Sequence, residues 1–190
     1  MNAIALVGAI HDLLDRLEIA HAFGGALALA YYAEPRGTVD VDVNVFAAYS
    51  EAPGVIDAMG GLDLYPEMPS SGWLPVAGIR LAQRSDGTKV DLFFSVDDEA
   101  YTEIRDRANL FPFADRQQVP FLSAEDLVMF KMSFNRPKDW VDIRSIVGHG
   151  GSLDLNYIER QLIRLRGPMM YPRLAVLRRA VRDANRPHNA

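Results

Sequence analysis

The sequence predicts an α+β protein: a mixed β-sheet with helices packed on it, followed by a helical region. Three observations predict this. The run 38–46, TVDVDVNVF, alternates strictly, so Val39, Val41, Val43 and Val45 share one strand face and Asp40 and Asp42 share the other. Two further β-type runs, 79–84 and 88–95, flank Ser85-Asp86-Gly87, a hairpin turn with glycine to supply a positive φ. From residue 123 onward the spacing of apolar residues is helical throughout. The expected division is therefore 1–122 for the sheet-bearing region and 123–190 for the helical one.

Composition bounds the function. The chain has 190 residues, 49% of them apolar, enough for a real core. It has no cysteine, which excludes a disulfide scaffold and thiol catalysis and suits a reducing cytoplasm. No basic leader precedes the first apolar residues, His11 and Asp12 interrupt them, and no apolar run approaches the roughly 20 residues that cross a bilayer. The expectation is a soluble cytoplasmic protein with no membrane partner. The net charge of −5 is uneven: residues 1–158 carry −11 and residues 159–190 carry +6. Such a basic end either meets an anionic partner or pairs with the acidic body.

The elements follow in order. Residues 4–17 form an amphipathic helix with Ile4, Val7, Ile10, Leu14 and Leu17 inward. Residues 19–23 form a short strand leading to Gly24 and Gly25. A short helix covers 26–32 and Pro35 stops it. Ser50 caps a helix through Met59, with Pro53 in its first turn. Residues 62–78, with three prolines, read as irregular. A helix spans 97–107, and 111–121 is a connection with room for one short strand. Ser123 and Asp126 resemble a capping box opening a helix that Asn135-Arg136-Pro137 ends. Further helices run from Pro137 to Gly148, from Ser152 or Asp154 to Arg166, and from near Pro172 to Asn185; 186–190 are expected to fray.

The chemistry concentrates in 23–46. Two carboxylates on one strand face repel unless a cation or proton lies between them, so Asp40 and Asp42 ask for a divalent metal. A solvated strand edge is the plainer alternative. Gly24 and Gly25 allow close backbone approach to a ligand, or simply make a tight turn. Asp91 places a third carboxylate on the neighbouring run, where it serves the site or pairs with Lys89 on its own face. Lys131, within an apolar helix, either reaches a phosphate or snorkels at the helix flank. Arg36 and Thr38 sit at the turn before the carboxylate strand. The four histidines have no metal-ligand spacing, and neither a Gly-x-Ser-x-Gly elbow nor a Walker A sequence occurs.

Gly24-Gly25 at a helix start, Asp40-Val41-Asp42 on a strand and Asp91 on the next resemble the minimal core of the nucleotidyltransferase superfamily. That superfamily includes polymerase-β-like enzymes, antibiotic nucleotidyltransferases and AbiEii-type toxins. The run Arg36-Gly37-Thr38-Val39-Asp40-Val41-Asp42 is similar to the AbiEii-like form, as are Ala124 to Lys131, Arg136-Pro137-Lys138-Asp139 and Asp142. The resemblance covers roughly residues 20–147. It implies transfer of a nucleoside monophosphate from a nucleoside triphosphate, such as ATP, to a hydroxyl, with Mg²⁺ or else Mn²⁺ as cofactor. It implies Asp40, Asp42 and Asp91 as metal ligands and catalytic residues, Asp91 also taking the acceptor's proton. Gly24, Gly25, Arg36, Thr38 and Lys131 would contact the nucleotide. The acceptor is left open among a small molecule, a protein side chain and tRNA. Two other readings stand beside it: a nucleotide-binding module without chemistry, and a toxin–antitoxin component controlled by a partner protein.

Overall fold

The computed structural model describes residues 3–38, 40–67 and 78–186. The chain divides into two compact units: Met1–Leu27 with Gly37–Leu122, and Ala28–Arg36 with Ser123–Ala190. The break at 122/123 is joined by an exchange: the short segment before the carboxylate strand goes with the helices.

The first unit is built on a seven-stranded mixed sheet. At its centre β2 (Asp40–Ala48) runs antiparallel to β1 (His21–Phe23) and parallel to β5 (Lys89–Ser95). Beyond β5 lie β4 (Gly78–Gln83) and β3 (Leu64–Pro66); beyond β1 lie β7 (Arg116–Phe121) and β6 (Asn109–Phe113). The order is β3-β4-β5-β2-β1-β7-β6. Alternation along β2 works as its sequence demands: Val41, Val43 and Val45 are at most 1% exposed, while Asp40 and Asp42 are half-buried on the opposite face. Val39 lies outside the described residues. Leu81, Val90, Leu92 and Phe94 extend the valine side and are fully buried. Three helices of this unit complete its core: α1 (Ala3–Arg16), α3 (Ala52–Met59) and α4 (Asp98–Asp106), with α2 (Gly25–Leu29) between β1 and β2.

Several expectations shift in detail. In α1 the inward residues are Leu6, Val7, Ile10 and Leu14, whereas Ile4 is 57% and Leu17 45% exposed. Leu6 takes the place assigned to Ile4, rotating the buried stripe. Gly8 packs beneath the Arg116 guanidinium, which binds Asp12 through both carboxylate oxygens. α3 starts two residues after Ser50, and Glu51 instead caps the preceding turn by accepting from the Ala48 N–H at 2.8 Å. β3 and the β6–β7 hairpin fall in stretches read as irregular or as a connection. Pro66, Pro112 and Pro120 hide these strands, and the β6–β7 turn uses Ala114 at φ 54° where a glycine would have signalled it. β3 and β6 are edge strands, where proline is tolerated. Within the irregular stretch, residues 68–77 lie outside the described set, as do 187–190 of the expected frayed end. The Ser85–Gly87 turn forms as expected, with Gly87 at φ 75°.

The second unit holds α5 (Ala124–Phe134), α6 (Pro137–Gly148), α7 (Leu155–Arg166) and α8 (Tyr171–Ala184). Ser123 Oγ caps α5 by accepting from the Asp126 N–H. The Asp126 carboxylate does not reach back to complete a box through the backbone. It accepts from the Ser123 hydroxyl at 2.5 Å and from the Tyr157 hydroxyl at 2.6 Å, tying α5 to α7. Asn135 ends α5 in the left-handed region at φ 59°, and Asp139 caps α6 by accepting from the Arg136 N–H and guanidinium. The C-terminal arginines find partners in their own unit: Arg178 pairs with Glu159, Arg173 donates to the Met132 and Ser133 carbonyls, and Arg160 lies over the Tyr157 ring. Among the described residues no helix is long and apolar enough to cross a membrane.

A histidine pair supports β1. His21 Nδ1–H donates to the Ile19 carbonyl at 3.0 Å, so its Nε2 is the acceptor for His11 Nδ1–H, also at 3.0 Å. Burial pushes the His21 pKa down, outweighing the Ile19 hydrogen bond. The unfolded chain then takes up a proton near pH 6.5 that the folded chain refuses, so stability falls as pH drops below that value. Urea titrations at pH 7.5 and 5.5 should show wild type losing stability at the lower pH and His21→Phe losing less. Equal losses in both would place the pH effect elsewhere.

Candidate functional site

The glycine pair and the strand carboxylates form one object. The Gly24 N–H donates to the Asp42 carbonyl at 2.9 Å, docking the end of β1 on β2. Gly25 opens α2 at φ 59°, and a Cβ there would lie 1.8 Å from Asp42 Oδ2. Any side chain at 25 expels the Asp42 carboxylate. A Cβ at Gly24 would meet Asn44 Nδ2 at 3.1 Å and Leu122 Cδ1 at 3.2 Å. Asn44, 3% exposed, is the third residue of the carboxylate face and escaped the sequence reading because it is uncharged, although its parity places it there. Thr38 Oγ1 accepts from the Asp40 N–H at 3.2 Å and donates to the Asp40 carbonyl at 3.0 Å, so it sets the start of the strand.

Strand register extends this face sideways. Asp42 lies opposite Asp91 on β5, and Asp91 opposite Arg80 on β4. Asp91 is 5% exposed, and both its oxygens are taken by Arg80: Nε to Oδ1 and Nη2 to Oδ2, each at 2.7 Å. The partner weighed in the sequence, Lys89, binds Glu67 instead at 3.3 Å. The Arg80 pKa is raised, first by its hydrogen bonds to Asp91 and further by the charges of Asp91, Asp40 and Glu67. Arg80 was missed by sequence reasoning, yet the Gln83–Thr88 turn fixes a register that pairs positions 80 and 91.

Three carboxylates on one face are hard oxygen donors of the kind Mg²⁺ and Mn²⁺ prefer, and Asp40 with Asp42 fits such a cation in chemistry and direction. As the side chains stand, no three His, Cys, Asp or Glu among the described residues converge as a ligand group. Asp91 itself is bonded through both oxygens to Arg80.

The remaining predicted residues, Arg36 and Lys131, belong to the helical unit. Arg36 forks onto Asp142 (2.9 and 2.8 Å), and Lys131 Nζ reaches Asp142 Oδ2 at 2.6 Å. Lys131 is 5% exposed, so it does not snorkel; its ammonium is buried against a carboxylate. Burial alone would push the Asp142 carboxyl up, but the hydrogen bonds from Arg36 and Lys131 overcome it and hold it below the usual carboxylate range. Two cations thus converge on the one Asp142 carboxylate.

No family model matches the chain, and no curated protein matches it by sequence. Solved structures do match. The lincosamide antibiotic adenylyltransferase LnuA with bound lincomycin superposes with a TM-score of 0.54 at 16% identity, covering 75% of this chain and 94% of its own. The antibiotic-resistance protein ANT(2'')-Ia in complex with adenylyl-2''-tobramycin gives 0.55 at 14%, covering 95% and 97%. An antigenic nucleotidyltransferase-like protein from Paracoccidioides brasiliensis gives 0.52 at 19%, covering 95% and 94%. The chain has the nucleotidyltransferase fold. Within that fold its structural neighbours include the antibiotic nucleotidyltransferases.

Two substitutions test this geometry. Gly25→Ala should cost at least ~1 kcal/mol from the left-handed backbone alone and displace Asp42, while Gly61→Ala, whose Cβ meets nothing within 4 Å, should leave the melting temperature unchanged. Asp142→Asn strands the buried Lys131 charge and should lower unfolding free energy by about 3–5 kcal/mol in urea titration. A loss below about 1 kcal/mol, the range of exposed pairs, would show that the pair is not held as a buried one.

Proposed function

We propose that this protein transfers a nucleoside monophosphate from a nucleoside triphosphate, with ATP the first to test, to a hydroxyl acceptor in a metal-dependent reaction. The observation that carries this reading is the Asp42–Asp91 register across parallel strands, with Asp40 on the same face and Gly25 packed against Asp42. A Mg²⁺ or Mn²⁺ ion held by Asp40 and Asp42 would supply stabilisation of the charge that develops on phosphate oxygens. Gly24 and Gly25 leave the backbone bare for approach of the triphosphate. Thr38 fixes the strand start that orients Asp40. Asp91 is the group to accept the acceptor's proton and to provide a further metal ligand. Arg36 and Lys131, which meet at Asp142, are the phosphate-contact candidates of the helical unit.

For the acceptor we favour a small hydroxylated molecule over tRNA. Two neighbours are captured with antibiotics or an adenylylated antibiotic. In addition, Arg160 and Arg178, two of the arginines a basic patch for RNA would use, are engaged by the Tyr157 ring and Glu159 within their own unit.

Labelled nucleoside triphosphates offered with small hydroxylated drugs, total tRNA or the protein alone would identify the acceptor by where label appears. Asp40→Ala and Asp42→Ala should each reduce transfer by more than about 100-fold, a loss that even outer-shell changes at metal sites reach. Both should keep or raise the melting temperature, since each removes a repelling charge. Wild-type turnover in either variant with Mg²⁺ present would sink the metal assignment.

A further inference from the structure

We propose that Arg80 is a latch on the third carboxylate: its guanidinium occupies Asp91 in the resting protein and must leave before Asp91 can ligate a metal or accept a proton. This rests on the nucleotidyl-transfer reading of the same face and adds to it a residue that controls when the site is complete.

The latch is visible in the geometry. Asp91 is nearly sequestered, its side chain 7% exposed, and offers only two oxygens, both bound by one guanidinium at 2.7 Å. The fork spends the best-aligned lone pair of each Asp91 oxygen on Arg80, while Asp42 is the register neighbour of Asp91 on the same face. A carboxylate so buried needs hydrogen-bond or charge partners, and Arg80 supplies both at Asp91. The arginine, in contrast, is poised to move. Its side chain is 38% exposed, and Asp40 and Glu67 also act on its charge. Glu67, 38% exposed and paired with Lys89 in a longer contact, offers it a wetter alternative partner. The Glu67 N–H donates to the Arg80 carbonyl at 3.0 Å, so the two backbones stay together while the side chain swings.

The competition has a definite sign. A divalent ion attracts a carboxylate about twice as strongly as a single charge at equal distance. A metal arriving with its nucleotide can therefore displace the guanidinium. Without such an ion, desolvation of an unpaired Asp91 keeps Arg80 in place. The base is thus withheld until the cation is present.

The test measures metal binding directly, by Mn²⁺ titration followed by electron paramagnetic resonance, in wild type, Arg80→Gln and Arg80→Lys with and without a non-hydrolysable nucleotide. Arg80→Gln should bind Mn²⁺ about tenfold tighter or take up an additional ion, as expected when a competing charge is removed. Its melting temperature should fall without metal and be restored by Mn²⁺ to a greater degree than in wild type. Arg80→Lys, which keeps the charge but not the fork, should fall between, and it decides the matter if Arg80→Gln does not fold. Identical Mn²⁺ isotherms in wild type and variants overturn the latch while leaving nucleotidyl transfer untouched. Absence of Mn²⁺ binding in every protein overturns the latch together with the metal-dependent reading.

Discussion

Everything in the sheet unit depends on the two faces of β2 having opposite demands. Val41, Val43 and Val45 bury completely, each a gain of roughly 1.5–3 kcal/mol over an exposed side chain. A slip of one residue would turn the aspartates into the core and the valines out, so the register cannot drift. That fixed register holds Asp40 and Asp42 together on the other face at an electrostatic cost. It also sets Asp42 against Gly25, where only a missing side chain allows the carboxylate to sit. The hydrophobic face thus determines where the charges go, and the charges determine which residue can stand at position 25.

The same logic recurs wherever a carboxylate leaves water. Asp91 is matched by Arg80, Asp142 by Arg36 and Lys131, Asp139 by Arg136, and Asp126 by two hydroxyls. These partners are of two kinds. Hydroxyl partners, as at Asp126, are neutral and tie helix to helix. Arginine and lysine partners bring full charges and neutralise the carboxylates they bind.

Much of this was legible in the sequence. The alternation of 38–46, the Gly87 turn, the Asn135-Arg136-Pro137 break and the shared face of Asp40 and Asp42 all follow from local chemistry acting over a few residues. What was not legible depended on distance along the chain. That Arg36 and Lys131 meet at one carboxylate was not foreseen, because Asp142 is 106 residues from Arg36. Arg80 went unnoticed because its importance comes from the cross-strand partner, and Lys89 looked the nearer choice for Asp91. Edge strands β3 and β6 escaped because their prolines, which argue against a central strand, are harmless at a sheet edge. The rotation of α1 was decided by packing, since both Ile4 and Leu6 satisfy an apolar stripe.

The exchange of Ala28–Arg36 into the helical unit bears on how the gene can be divided. The chain passes from one unit to the other after Leu27, after Arg36 and after Leu122, so neither unit is a continuous stretch of sequence. A gene fragment ending at codon 122 would encode the whole sheet, but also nine residues whose companions are missing. Leu29, 1% exposed in the whole chain, would lose its cover, and Arg36 would lose Asp142. Those nine residues stand directly between the glycine pair and the carboxylate strand. Recombination that swapped the helical half for another would have to bring a helix with a carboxylate able to receive Arg36, or leave that guanidinium without its fork.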